Sequence, residues 1–139
     1  MPRYVGQRIP QIQTGGELAD DVLVDVRDPG EFAAGHAPDA WSIPMDQLEA
    51  QRFTLPMNRR LVAISRTGER SADATIELRE MGFQAVNLEG GLEAWAAAGG
   101  AIVTDDGRPG RLAWSVGPAA LVLAFAVAVG CSGGGGGGG

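Results

Sequence analysis

A chain of 139 residues, 45% hydrophobic and 20% charged, fits one globular α/β domain with additional segments and is too apolar for wholesale disorder. Its formal net charge of −6 disfavours a nucleic-acid partner, because phosphate backbones select basic faces. All 11 basic residues are Arg, which removes Schiff-base and P-loop-lysine chemistry, while a single Cys (Cys131) and a single His (His36) exclude an internal disulfide and a His/Cys metal cluster. Neither a metal nor a cofactor is expected.

The N-terminal stretch MPRYVGQRIPQI has no apolar signal core, which points to a cytoplasmic setting for the folded part. Ile9–Ile12 reads as a short edge strand, since Pro10 is tolerated only at a sheet edge. Thr14–Glu17 has a capping-box pattern and predicts a short helix through Leu18. Val22–Val26 is a β-branched run that fits a strand buried on both faces. Asp28 as N-cap with Pro29 at the first helical position starts a helix that Gly35 ends.

Ala40–Ile43 predicts a short strand stopped by Pro44, and Met45–Phe53 a helix with Leu48 turned inward. Leu61–Ile64 is the next buried strand. A helix over Ser71–Met81 follows, with Ala74, Leu78 and Met81 at i, i+4, i+7 beside Ala72 and Ile76, and Gly82 as its stop. Ala85–Leu88 is a further strand. Gly90-Gly91 lead into a helix with Leu92, Trp95 and Ala96 on one face, ended by Gly99-Gly100. Trp41 and Trp95 read as core residues. Strands alternating with helices at this spacing imply a mostly parallel sheet covered on both faces, with ligands at the carboxyl ends of the strands.

Ser65-Arg66-Thr67-Gly68-Glu69-Arg70-Ser71 lies at such an end. A strand that ends in a short Gly-bearing loop and enters a helix points unpaired N–H groups at one spot, and Arg70 adds positive charge there. The first loop position is where such a pocket presents a nucleophile; here it holds Ser65.

Beyond the last predicted helix, 105–111 (DDGRPGR) reads as a linker closing a domain over 1–104. Leu112–Val129 carries no charge, and its helical length of about 27 Å nearly spans a hydrocarbon core. The segment 112–131 has three readings: a membrane-spanning helix with Arg108 and Arg111 on the cytoplasmic side, a processing signal ending at Cys131, or an apolar helix packed on the domain or a partner. Residues 132–139 are Ser and a run of Gly, a tail that cannot pack.

Three blocks, LVDVRDPGEFAAGHAPDAWSIP (Leu23–Pro44), LVAISRTGERSADA (Leu61–Ala74) and FQAVNLEGGLEAW (Phe83–Trp95), occur in an order and spacing that resemble a single rhodanese-like domain. The resemblance implies a five-stranded, mainly parallel sheet with helices on both faces, to which the sequence adds a C-terminal apolar helix. It also implies a loop of the pattern Cys-Arg-x-Gly-x-Arg-Ser, whose Cys carries a sulfane sulfur as a persulfide to a thiophilic acceptor. Arg66, Gly68, Arg70 and Ser71 match, but Ser65 stands at the Cys position. Asp25 and Arg27 match the strand-end Asp-Val-Arg of that family, and Glu31, Phe32, Gly35 and His36 its Glu-Phe-x-x-Gly-His element.

A thiol is readily driven to thiolate by a helix N-terminus and an Arg, whereas a Ser hydroxyl needs an adjacent base. His36 is the only His available, and the resemblance makes its turn a structural one; Glu69 lies too close to the helix start to serve. The expectation is therefore a module non-catalytic for sulfur transfer that keeps an anion-binding loop of Arg66, Thr67, Gly68, Glu69, Arg70 and Ser71, supported by Asp25, Arg27, Glu31 and His36. The alternative is a thiosulfate or persulfide sulfurtransferase whose Cys is substituted in this form. The ligand would be thiosulfate, sulfate or a similar anion, or a protein partner. A simpler role for Arg70, pinning the loop to Asp25 or Glu31, stays open at this point.

Overall fold

The structure, a computed structural model, describes residues 9–14, 18 and 20–113. Five strands form one sheet in the order β1-β5-β4-β2-β3, with every neighbouring pair parallel. They are β1 (Gln11–Ile12), β2 (Val22–Asp25), β3 (Trp41–Ser42), β4 (Leu61–Ile64) and β5 (Ala85–Leu88). The helices are α1 (Pro29–Ala34), α2 (Glu69–Glu80) and α3 (Gly91–Ala97). Pro10 sits just outside the edge strand β1, where its missing N–H costs no ladder bond, and its carbonyl accepts from Asn87 N–H at 2.9 Å.

β4 is the central strand, and all four of its residues are buried. Because successive side chains alternate faces, Leu61 and Ala63 enter one core and Val62 and Ile64 the other. The first core is closed by Ala74 and Leu78 of α2, with Leu48, Leu55 and Phe83. The second is closed by Leu92 of α3, with Trp95, Ile102 and Leu112 partly buried against it. This is why β4 tolerates no polar residue and reads as a continuous aliphatic run.

Three expectations are corrected. Met45–Phe53 is not one helix: Met45–Gln47 and Arg52–Thr54 are separate 3₁₀ turns. Leu48 is fully buried as expected, but Gln51 and Arg52, at i+3 and i+4 from it, are polar, so no apolar stripe exists to hold continuous turns. On α3, Leu92 is buried and Trp95 partly so, whereas Ala96 is exposed. Trp41 is not a core residue; it is 39% exposed at the sheet edge.

Helix α2 starts at Glu69, two residues before the expected Ser71, because its N-cap is Gly68 in the left-handed conformation (φ 96°). The expected helix over 14–18 falls largely on residues outside those described, as does the segment 114–139 with its apolar stretch. Among the described residues no helix is long and apolar enough to cross a membrane. Residues 105–111 turn back onto the domain. Thr104 N–H donates to Arg108 O at 2.8 Å, Gly110 N–H to Ile102 O at 2.8 Å, and Arg111 N–H to Ala34 O at 2.9 Å. Gly35 makes this close approach possible: a Cβ there would lie 2.4 Å from Arg111 O.

Candidate functional site

The loop Ser65–Ser71 joins the carboxyl end of β4 to α2. Ser65 is buried, with 1% of its surface exposed. Its Oγ accepts from Gly68 N–H at 3.1 Å and Ser71 N–H at 3.2 Å. It also lies 3.0 Å from Ser71 Oγ. Two amides of the loop and the first turn of α2, those of Gly68 and Ser71, thus converge on the Ser65 oxygen itself.

The direction of that last bond follows from its neighbours. Gly68 O can only accept, so the Asn87 amide nitrogen faces it, at 3.2 Å, and the same nitrogen donates to Gln11 Oε1 at 3.0 Å. Asn87 Oδ1 therefore faces Ser71 and accepts its hydroxyl proton at 2.5 Å. With that proton committed, Ser71 Oγ is an acceptor for Ser65, and the Ser65 hydroxyl is satisfied as a donor and twice as an acceptor.

The carbonyl side of the loop is held by α3. Leu92 N–H donates to Ser65 O at 2.9 Å and Glu93 N–H to Arg66 O at 3.0 Å. These donors lie in the first turn of α3 and would otherwise lack helical partners. Pulling the carbonyls toward α3 turns the loop amides inward. Gly91, at φ 61°, permits the contact, since a Cβ there would stand 2.5 Å from both carbonyl oxygens.

Both arginines of the loop are engaged by carboxylates. Arg70 makes a two-point pair with Glu31 of α1, at 2.7 and 3.0 Å. That hydrogen bond, and secondarily the charges of Glu31, Asp28 and Asp25, hold the Arg70 guanidinium above the usual arginine pKa despite partial desolvation. Arg66 donates to Glu93 Oε1 at 3.0 Å and to Leu112 O at 2.7 Å. Thr67 and Glu69 are exposed.

Asp25 and Arg27 form a buried pair beside the loop: Nη2 meets Oδ2 at 2.8 Å and Nε meets Oδ1 at 3.0 Å. Arg27 Nη2 also donates to Gly35 O at 2.7 Å, so this pair ties the end of β2 to the end of α1. Arg27 Nη1 is buried without a hydrogen-bond partner. Asp25 does not pair with Arg70; Glu31 does. His36 stands apart from Ser65 in the hydrogen-bond pattern. Its Nδ1 lies 2.9 Å from Ala37 O, its Nε2 2.9 Å from Asp105 Oδ1, and its ring stacks on Phe32 at 3.9 Å. It braces the 104–110 turn.

Sequence reasoning did not single out Asn87, Glu93 or Asp105, and took Gly91 only as a helix lead-in. Asn87 carried a readable signal: it is the only polar residue in the strand Ala85–Leu88, and a buried amide in such a strand needs partners. The others are set by contacts between distant elements. Among the described residues no group of three His, Cys, Asp or Glu side chains is placed to hold a metal ion.

Residues 11–98 match the model of the rhodanese-like domain. A sulfurtransferase of Allochromatium vinosum is 39% identical over 92 residues, covering 66% of this chain and 86% of that protein. A rhodanese-related protein from Thermoplasma volcanium superposes with a TM-score of 0.65 at 27% identity, covering 69% of this chain and 99% of that one. A rhodanese-like domain protein from Staphylococcus aureus gives a TM-score of 0.57 at 32% identity, covering 63% of this chain and 91% of that one.

Proposed function

This chain belongs to the rhodanese-like family, and on that premise we propose that it is a module non-catalytic for sulfur transfer, built around an oxyanion-binding loop. The observation that carries this reading is the Ser65 hydroxyl. It is buried and satisfied by Gly68, Ser71 and, through Ser71, Asn87. A Ser hydroxyl becomes a nucleophile when a base takes its proton. Here the proton runs to another hydroxyl and then to an amide oxygen, neither of which is a base. His36, the only imidazole, has both ring nitrogens on other partners.

The loop keeps its frame for an oxyanion such as sulfate or thiosulfate, while Glu31 and Glu93 hold its two arginines. These carboxylates are internal competitors, so a free anion or an acidic group of a protein partner must displace at least one of them. The domain is proposed to work on the cytoplasmic side of a membrane, through the apolar stretch 112–129.

A second reading is favoured by the sulfurtransferase relative: the pocket is competent and lacks only its thiol. A sulfur at position 65 would meet the same two amides at the start of α2, which stabilise a thiolate. One experiment separates the readings. Thiosulfate-to-cyanide sulfur transfer is measured for the chain as it stands and for Ser65→Cys. No turnover above a denatured control is expected with Ser65, and turnover in the native chain overturns the non-catalytic reading. Turnover gained in Ser65→Cys supports the second reading; silence in both variants assigns the pocket to binding alone.

A further inference from the structure

At the end of the sheet opposite Ser65, the amino ends of the strands leave a cleft of about 420 Å³. Its walls include Trp41 at the start of β3, Trp95 of α3, Leu23 of β2, and the loop residues Pro38, Asp39 and Arg59. Its lining is as polar as it is apolar and includes the side chains of Asp21, Asp39 and Arg59.

Trp95 is firmly set. Its indole N–H donates to Ala101 O at 2.9 Å. Gly100 lies against the ring, where a Cβ would come within 2.4 Å of Nε1. Trp41 begins an edge strand and is 39% exposed. Indoles attract flat rings and cations through their π faces.

Asp39 supplies the charge. Ala40 N–H donates to Ala37 O at 3.2 Å, closing a turn with Pro38 second and Asp39 third. Asp39 has φ 64° and is the one non-glycine residue at positive φ among those described. Such a turn takes Gly, Asn or Asp at that position, the residues that tolerate the left-handed region. Its carboxylate is exposed and, among the described residues, forms no ion pair. Of the other charged groups of the cleft, Asp21 pairs with Arg60 at 2.6 Å, while Arg59 donates to the carbonyls of Asp20 at 3.0 Å and Asp21 at 3.3 Å and keeps its positive charge.

We propose that this cleft binds a small arylalkylamine, with its flat ring against the indoles and its ammonium on the Asp39 carboxylate. The site is separate from the Ser65 loop, and its test is independent of the function proposed above.

The test titrates the full chain with 2-phenylethylamine and with phenylacetate, which carries the same ring and the opposite charge. Ligand-observed NMR and tryptophan fluorescence report binding. Saturable binding of the amine is expected, about tenfold tighter than that of phenylacetate. Asp39→Asn removes the preference. Asp39→Gly removes it and also raises the melting temperature, because glycine fits the left-handed turn. Ser65→Cys leaves amine binding unchanged. The proposal is overturned if the amine does not saturate, if phenylacetate binds as well or better, or if Asp39→Asn retains the preference.

Discussion

Ser71 donates its hydroxyl proton to Asn87 Oδ1 at 2.5 Å, and this bond decides where the Ser65 proton goes. With Ser71 turned toward β5, its oxygen is left to accept from Ser65, at 3.0 Å. The strand-borne amide thus orients a loop hydroxyl that it does not touch. Replacing Asn87 by Ala removes this acceptor together with the donor to Gly68 O. A loss of about 1–3 kcal/mol is expected, from buried polar groups left unpaired. Urea unfolding measures it, and faster hydrogen exchange at the Gly68 and Ser71 amides would place the effect in the loop.

Glu31→Gln weakens the pair that occupies Arg70. Oxyanion affinity at the loop is expected to rise about tenfold, equivalent to about 1.4 kcal/mol. Calorimetric titration with sulfate or thiosulfate reads the change. An affinity equal to that of the native chain would mean that Arg70 serves the fold alone.

The Asp25–Arg27 pair calls for a comparison of variants. Asp25→Ala leaves Arg27 charged in a place with no exposed surface, and about 3–5 kcal/mol of stability should be lost. Asp25→Leu combined with Arg27→Met removes both charges and the unpartnered Nη1. It should cost clearly less than Asp25→Ala, since desolvation offsets much of what the pair contributes. Chemical denaturation of the three proteins decides the order.

Gly91→Ala places a methyl group 2.5 Å from Ser65 O and Arg66 O. Backbone must move, so a destabilisation of about 1–3 kcal/mol is expected, with the loop and α3 forced apart. In a Ser65→Cys background the same change should reduce any sulfur transfer gained, because the loop amides lose their inward set. Thermal melts and the transfer assay read the two effects.

The membrane proposal is tested by truncation. Leu112 O accepts from Arg66, and Gly110 and Arg111 bond to the domain, so the shortened chain should end after Ala113. Full-length chain in the membrane fraction and the 1–113 chain in the soluble fraction is the expected result. Equal solubility of both would remove the anchor.

Much of this protein was determined by the sequence alone. The apolar runs Val22–Val24 and Leu61–Ile64, and the mostly apolar Ala85–Leu88, read as buried strands, and the i, i+4 spacing of Ala74 and Leu78 faces α2 toward them. Short-range patterns carry that information because burial acts on each element through its own periodicity. The loop was legible for the same reason: Gly68 and the helix start are local, and so is the pocket of amides they create. What only the tertiary structure decided is how those groups are spent. Arg70 meets Glu31 39 positions away, Arg66 meets Glu93, and Ser71 meets Asn87 across from another strand. The failure of Met45–Phe53 to form a helix and the exposure of Trp41 belong with these. Hydrogen bonds and ion pairs are short-ranged, so their partners are fixed only when distant segments pack. That packing supplies, from the chain itself, an oxygen and carboxylates at the spot where the sequence suggests an anion.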